Sequence, residues 1–229
     1  MPRFLLITMI IIVSTVAAMF SFLFFFSDVQ AGQHPVTVTE DAALPGAPMT
    51  HLIDFQDPGE SNRWRAINDN VMGGVSQGGM WVEAGVGFFS GEISLENNGG
   101  FASVRRDPED FDLSTATALV LHVRGDGRRY QLRLYTDQLP SGAAYRAPFQ
   151  PPAGEWQRIV LPWHAFEAIF RGRLLKDAPP LATDQIRQVG LMIADRRDGP
   201  FRLEVASLKT LEAGDETETN ETDSSDSRH

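Results

Sequence analysis

The sequence predicts an all-β domain, an antiparallel β-sandwich. Two observations carry this. Apolar residues recur with period two across residues 51–211, and Gly/Pro/Asp turn clusters separate those runs at short intervals. Helical periodicity is nearly absent, and many short strands with frequent turns favour a sandwich over a mixed fold.

Leu119, Leu121 and Val123 alternate with Val120, His122 and Arg124. Tyr130, Leu132 and Leu134 alternate with Gln131, Arg133 and Tyr135, and Phe201, Leu203 and Val205 with Arg202, Glu204 and Ala206. Ile159–Leu161 and Val189–Ile193 are apolar runs of strand length. Turns fall at Gly125-Asp126-Gly127, Pro140-Ser141-Gly142, Pro151–Gly154 and Asp198-Gly199-Pro200. The first of these predicts a hairpin between its flanking strands. Trp163–Arg171 is the best candidate for a short helix or turn, with Phe166, Ile169 and Phe170 on one side. Trp81 and Trp156 are expected in the core, and His122 outward or locally paired.

The flanks differ from this domain. Residues 4–26 hold no charge, and as a helix they would be ~35 Å long, enough to cross a bilayer. Arg3 lies before the run and Asp28 after it, so residues 1–28 are expected to be a transmembrane anchor with the following domain extracytoplasmic. A signal peptide cleaved near Ala31 is the competing reading, which leaves a secreted or periplasmic protein. Residues 29–50 read as a linker. Residues 212–229 hold Glu212, Asp215, Glu216, Glu218, Glu221, Asp223 and Asp226 against Arg228, and are expected to form a disordered acidic tail.

Composition excludes several function classes. The chain of 229 residues has no Cys, so disulfides, thiolate metal sites and Cys nucleophiles are out. Its net charge of -10 argues against nucleic acid as a partner. Nucleotide-binding loops, zinc-protease motifs and the nucleophile elbow are missing, and no His/carboxylate group has metal-ligand spacing. No catalytic residue, metal or cofactor is assigned. A calcium site built from scattered carbonyls and Asp stays open.

Three segments could bind a ligand or could simply be turns. Asp69 and Asn70 precede Gly73-Gly74 and Ser76, in a loop suited to presenting amides, or in a tight turn leading into a strand. Asn97-Asn98-Gly99-Gly100 is strong turn chemistry, and Arg105 follows on the next strand. Together, Asn97, Asn98 and Arg105 suit hydroxyls or carboxylates. Asp195, Arg197 and their charged neighbours form either ion pairs that fix a loop or a charged edge for a partner. Trp163 follows Pro162 at a strand end, where its ring could stack on a sugar or pack inward.

The ordered set of motifs resembles the complex I intermediate-associated protein 30 domain family. The matching segments are Phe55, Trp64, Asn68–Ser76 (NDNVMGGVS), Phe89–Arg105 (FSGEISLENNGGFASVR), Arg129–Arg133, Trp156–Trp163 (WQRIVLPW), Phe170–Gly172, Gly190–Asp195 and Gly199–Phe201. The resemblance spans nearly the whole of residues 51–211. It implies a galactose-binding-like jelly-roll β-sandwich, a fold shared with many carbohydrate-binding modules. It also implies a non-enzymatic role. The mitochondrial relatives bind assembly intermediates of respiratory complex I without becoming subunits, and other relatives serve photosynthetic assembly. The family has no established catalytic residues, so none is carried over. The hydrophobic N-terminus departs from relatives that work in the matrix, and the acidic tail has no counterpart in the family's core. The expected function is therefore a protein-binding module acting as an assembly or maintenance factor for a membrane complex. The alternative is an exported carbohydrate-binding module using Trp163 or Tyr135 for stacking.

Overall fold

The computed structural model describes residues 48–213. Among the described residues there are thirteen strands: β1 (Met49–Asp54), β2 (Trp64–Ala66), β3 (Gln77–Glu83), β4 (Val86–Ile93), β5 (Ala102–Arg106), β6 (Ala116–Arg124), β7 (Tyr130–Thr136), β8 (Ala143–Phe149), β9 (Trp156–Pro162), β10 (Glu167–Phe170), β11 (Arg173–Leu174), β12 (Ile186–Ile193) and β13 (Gly199–Glu212). The anchor or signal segment, most of the linker and nearly all of the acidic tail lie outside the described residues. Met49 and Thr50, at the end of the expected linker, pair with Leu211 and Thr210 in β13.

The strands form two antiparallel sheets. One runs β3-β4-β13-β6-β9, with β1 also on β13, and the other runs β11-β10-β8-β7-β12-β5-β2. The period-two pattern decides which faces meet. Leu119, Leu121 and Val123 from one sheet, and Tyr130, Leu132 and Leu134 from the other, are all buried in a single core. Aromatic rings fill the space between the sheets: Phe89 meets Tyr130 of the other sheet edge-on at 6.3 Å and packs on Phe201 of its own sheet at 4.9 Å. Burial of such rings is the main driving force for sandwich formation. Long β13 pairs with β4 and β6, then bulges between Val205 and Ser207, which restores the inward phase at Leu208.

Three sequence expectations are corrected. The Gly125–Gly127 turn is not a hairpin, because β6 and β7 belong to different sheets. Each strand has its own apolar face to bury, and the turn carries the chain across the sandwich instead of back along its neighbour. The Trp163–Arg171 segment holds only a 3-10 turn, Trp163–Ala165, followed by β10, which pairs with β8. Backbone pairing with β8 satisfies more groups there than one further helical turn would. Trp81 and Trp156 are not core residues. Trp81 is 43% exposed and stacks on Phe88, while half-buried Trp156 lies beside Arg124 and His122 on the outer face of the six-stranded sheet.

Candidate functional site

Loops collect at the end of the sandwich where β4 and β12 finish and β5 and β13 begin. Asp69 organises this rim. Its side chain is fully buried, and one oxygen accepts from Ser76 N at 2.9 Å. The other accepts from Ser76 Oγ at 2.5 Å, Gly100 N at 2.7 Å and Phe101 N at 3.2 Å. Burial alone would raise the acid's pKa from 3.8, but the hydrogen bonds from Ser76, Gly100 and Phe101 outweigh it and hold it below that value. Asp69 thus ties the first predicted loop to the second, and its carboxylate is turned inward.

This hub explains both Gly-Gly pairs. Gly73 takes φ +94°, closing the 3-10 turn Asp69–Met72 in a left-handed conformation. At Gly74 a Cβ would sit 2.4 Å from the Asp69 carboxyl carbon, and at Gly99 2.6 Å from Asp69 Oδ2. Asn97 and Asn98 adopt φ 53° and 59°, as their turn chemistry suggests, and both side chains are exposed, as is Asn70.

The third loop joins the other two, since Leu95 N donates to Asp198 Oδ1 at 3.2 Å. Arg128, which the sequence did not single out, holds it. This buried guanidinium grips Asp195 through Nε at 3.0 Å and Nη2 at 2.7 Å, and donates to the carbonyls of Gly199 and Pro200 at 3.0 and 2.8 Å. Both side chains of the pair are about 5% exposed. Asp195 is held below its ordinary pKa of 3.8, because pairing with Arg128 outweighs desolvation. Arg197 points to solvent at the tip.

The two remaining predicted residues lie elsewhere. Trp163 sits at the opposite end of the sandwich, half-buried, with Nε1 donating to Ala116 O at 2.7 Å. Arg105 lies on the outer face of the seven-stranded sheet, its guanidinium 3.5 Å above the Tyr135 ring. Gly190 lies under the same ring, where an added Cβ would come within 3.2 Å of it. Arg105 therefore already occupies one face of the Tyr135 ring, and Trp163 is committed to Ala116 and the core. Among the Phe, Tyr and Trp rings of the described residues, Trp81 is the exposed one, backed by Phe88 at 5.5 Å.

The rim's other feature is apolar. Val71, Met72, Val75 and Leu95 are 70%, 64%, 46% and 45% exposed, and they account for four of the six large exposed hydrophobics among the described residues. Singly exposed apolar residues are normal, but Val71, Met72 and Val75 lie within five positions of one braced loop, a local concentration of apolar surface. Around them lie the Asn70, Asn97 and Asn98 amides and Arg197. The described residues contain no group of three or more His/Asp/Glu able to hold a metal ion. None of their helices is long and apolar enough to cross a membrane.

Depressed carboxylates make the rim acid-sensitive. Asp69 and Asp195 ionise more readily folded than unfolded, so their stabilisation is complete above their ordinary pKa and is lost as pH falls below 3.8. Urea melts are expected to show flat stability from neutral pH to about pH 5, then a steep decline. An Asp69→Asn variant should show a shallower decline, and an identical acid profile would show that Asp69 is not part of the linkage.

A two-sheet sandwich with a braced loop rim places the protein among β-sandwich modules. A Family 11 carbohydrate-binding module of the cellulosomal cellulase Lic26A-Cel5E of Clostridium thermocellum has TM-score 0.55 at 14% identity, covering 74% of this chain and 97% of that one. The same family's module in complex with a mixed-linked tetrasaccharide gives TM-score 0.51 at 16% identity, covering 74% of this chain and 98% of that one. The chain belongs to the complex I intermediate-associated protein 30 family, whose sequence profile matches residues 53–205. Relatives include the mitochondrial complex I intermediate-associated protein 30 of Drosophila melanogaster, 25% identical over 177 residues (67% of this chain and 60% of the relative). That of Mus musculus is 26% identical over 172 residues (66% of this chain and 52% of the relative). The chain therefore spans roughly half to three-fifths the length of these relatives.

Proposed function

We propose that the domain is a non-enzymatic protein-binding module that acts in the assembly or maintenance of a respiratory-type membrane complex, in a galactose-binding-like jelly-roll frame. The observation that carries this is the exposed apolar group Val71, Met72, Val75 and Leu95, held on loops that Asp69 and Arg128 fasten to the sandwich. Family membership supports the choice of partner class. A rigid apolar centre ringed by amides and a charge is the usual anatomy of a protein contact. In this reading residues 4–26 tether the domain to a membrane, with the rim on the extracytoplasmic side. A protease-access experiment on opened cells tests that topology, and a protected domain would overturn it.

Changing Val71 and Met72 together to Glu tests the rim. Both side chains are solvent-exposed, so stability should change by no more than about 0.5 kcal/mol each. In pull-downs from detergent-solubilised membranes, the unmodified chain should recover subunits of a membrane complex in near-stoichiometric amounts. The double variant should lose at least about tenfold of that recovery. Failure of the unmodified chain to retain any such subunit would sink the proposal.

A further inference from the structure

One row across the seven-stranded sheet is mostly arginine. Arg65, Arg105, Gly190, Arg133, Arg146 and Glu167 are successive register partners on β2, β5, β12, β7, β8 and β10. Their chain neighbours Val104, Leu132, Leu134, Tyr145, Ala147, Val189 and Leu191 are core residues, so alternation puts the row on the outer face. Arg133 and Arg146 are direct cross-strand partners, an arrangement that destabilises a sheet.

Few acids offset this charge. Asp107 takes Arg65 at 2.9 Å, and Glu167 lies 3.7 Å from Arg146. Among the described residues, neither Arg105 nor Arg133 has a carboxylate within ion-pair distance. The Nε atoms of Arg105 and Arg146 are buried without a hydrogen-bond acceptor. Arg133 Nε reaches Gln131 Oε1 at 3.3 Å. Desolvation lowers the Arg133 pKa; Tyr135 opposes the fall, while Arg146 and Arg105 add to it. Arg105 and Arg133, half-buried and without a carboxylate partner among the described residues, leave local positive charge that an anion would offset.

We propose that the row Arg105–Arg133–Arg146 binds an acidic segment of a protein partner, laid across the strands in extended form. The proposal rests on the protein-binding reading but uses a face separate from the rim. Three strand intervals separate Arg105 from Arg146, about 14 Å, with Arg133 about 5 Å from one and 10 Å from the other. Carboxylates on alternate residues of an extended chain lie about 7 Å apart and can meet these guanidiniums in pairs. A sugar is disfavoured because Arg105 already covers a face of the Tyr135 ring, at 3.5 Å from its centroid. A nucleic acid is disfavoured by the net charge of -10 and the shortness of the row.

The test uses the full chain at low salt and a dye-labelled decapeptide, five Glu-Ser repeats, read by fluorescence anisotropy. The matched Gln-Ser peptide is the control, and inorganic tripolyphosphate the competitor. The acidic peptide should bind, the neutral one should not, and added salt should weaken binding steeply. Arg133→Gln and Arg146→Gln should each weaken binding at least about tenfold. Their melting temperatures should be no lower than that of the unmodified chain, because a repulsion has been removed; arginines with a purely structural role would lower it. The milder Arg105→Lys variant should keep the fold and lose only part of the affinity. Val71→Glu with Met72→Glu should leave peptide binding unchanged, so failure here and failure at the rim are separable. Equal binding of the neutral peptide, wild-type affinity in the Gln variants, or loss of binding in the rim variant would each overturn the proposal. So would displacement by tripolyphosphate at lower concentrations than unlabelled acidic peptide, which would assign a small oxyanion. Binding that emerges only when residues 214–229 are removed would assign the row to the chain's own acidic segment and equally overturn a partner-borne ligand.

Discussion

Replacing Asp69 with alanine is expected to cost the domain about 3–5 kcal/mol, among the largest single-residue effects on the rim. The change strands Ser76 N, Gly100 N and Phe101 N in a site closed to solvent, while Ser76 Oγ can still donate to Ser94 O. Each orphaned buried donor costs about 1–3 kcal/mol, and loop relaxation recovers part of the total. For a domain of this size the loss corresponds to a fall of about 10–15 °C in melting temperature. Asp69→Asn should fall between the two, since one oxygen remains but an amide N–H₂ now opposes donors. Hydrogen exchange should quicken at Gly100 and Phe101 before β5 itself responds. Partner binding should fail together with loop order, because Val71 and Met72 ride on the turn that Asp69 closes. A melting temperature within about 2 °C of wild type would remove Asp69 from its place as the hub.

Much of this fold was readable in the sequence because burial in a sandwich writes itself at period two. Leu119, Leu121, Val123, Tyr130, Leu132, Leu134, Phe201, Leu203 and Val205 all turned inward. Sheet membership was not readable. The Gly-Asp-Gly turn fits a hairpin by its own chemistry, and Asp126 and Arg128 decide otherwise through contacts distant in sequence. Asp126 accepts from Arg202 N and Arg128 holds Asp195, while the bond from Tyr130 Oη to Asp126 is local. Phe166, Ile169 and Phe170 mimic helical spacing by coincidence, since β10 is short enough to match either period.

The site was legible in outline only. The Asn97-Asn98 turn announced itself through residues that accept positive φ. Asp69 looked like one polar residue among several in a loop, because a carboxylate saturated by backbone donors has no local signature beyond nearby Gly and Ser. Val71 and Met72 were invisible as contact residues, since apolar side chains beside a strand are expected to face the core. The arginine row could not be seen at all. Positions 65, 105, 133 and 146 become neighbours only through four strand registers.

Arg128→Met is expected to destabilise the domain by about 3–5 kcal/mol, because it leaves Asp195 buried and unpaired and frees the carbonyls of Gly199 and Pro200. Asp195→Leu alone should cost a comparable amount by stranding the guanidinium. Combined, the two changes should cost clearly less than the sum, since neither charge is then left without its partner. The coupling should be about 1–3 kcal/mol, and additivity within about 0.5 kcal/mol would show that the two side chains act independently. The sign of the pH response provides a second check. In the intact domain Asp195 sits below its ordinary pKa, so its contribution fades on acidification. In Arg128→Met the same carboxylate keeps only the Arg197 amide and charge against its desolvation, so its pKa rises relative to the intact domain and it contributes less stability above that pKa. The stability gap between wild type and variant should therefore be widest near neutrality and shrink as the pH falls, measured by urea melts of both proteins. Because Asp198 docks on Leu95 from the loop that this pair fastens, the variant should also loosen the apolar rim while leaving the β5–β8 face in register.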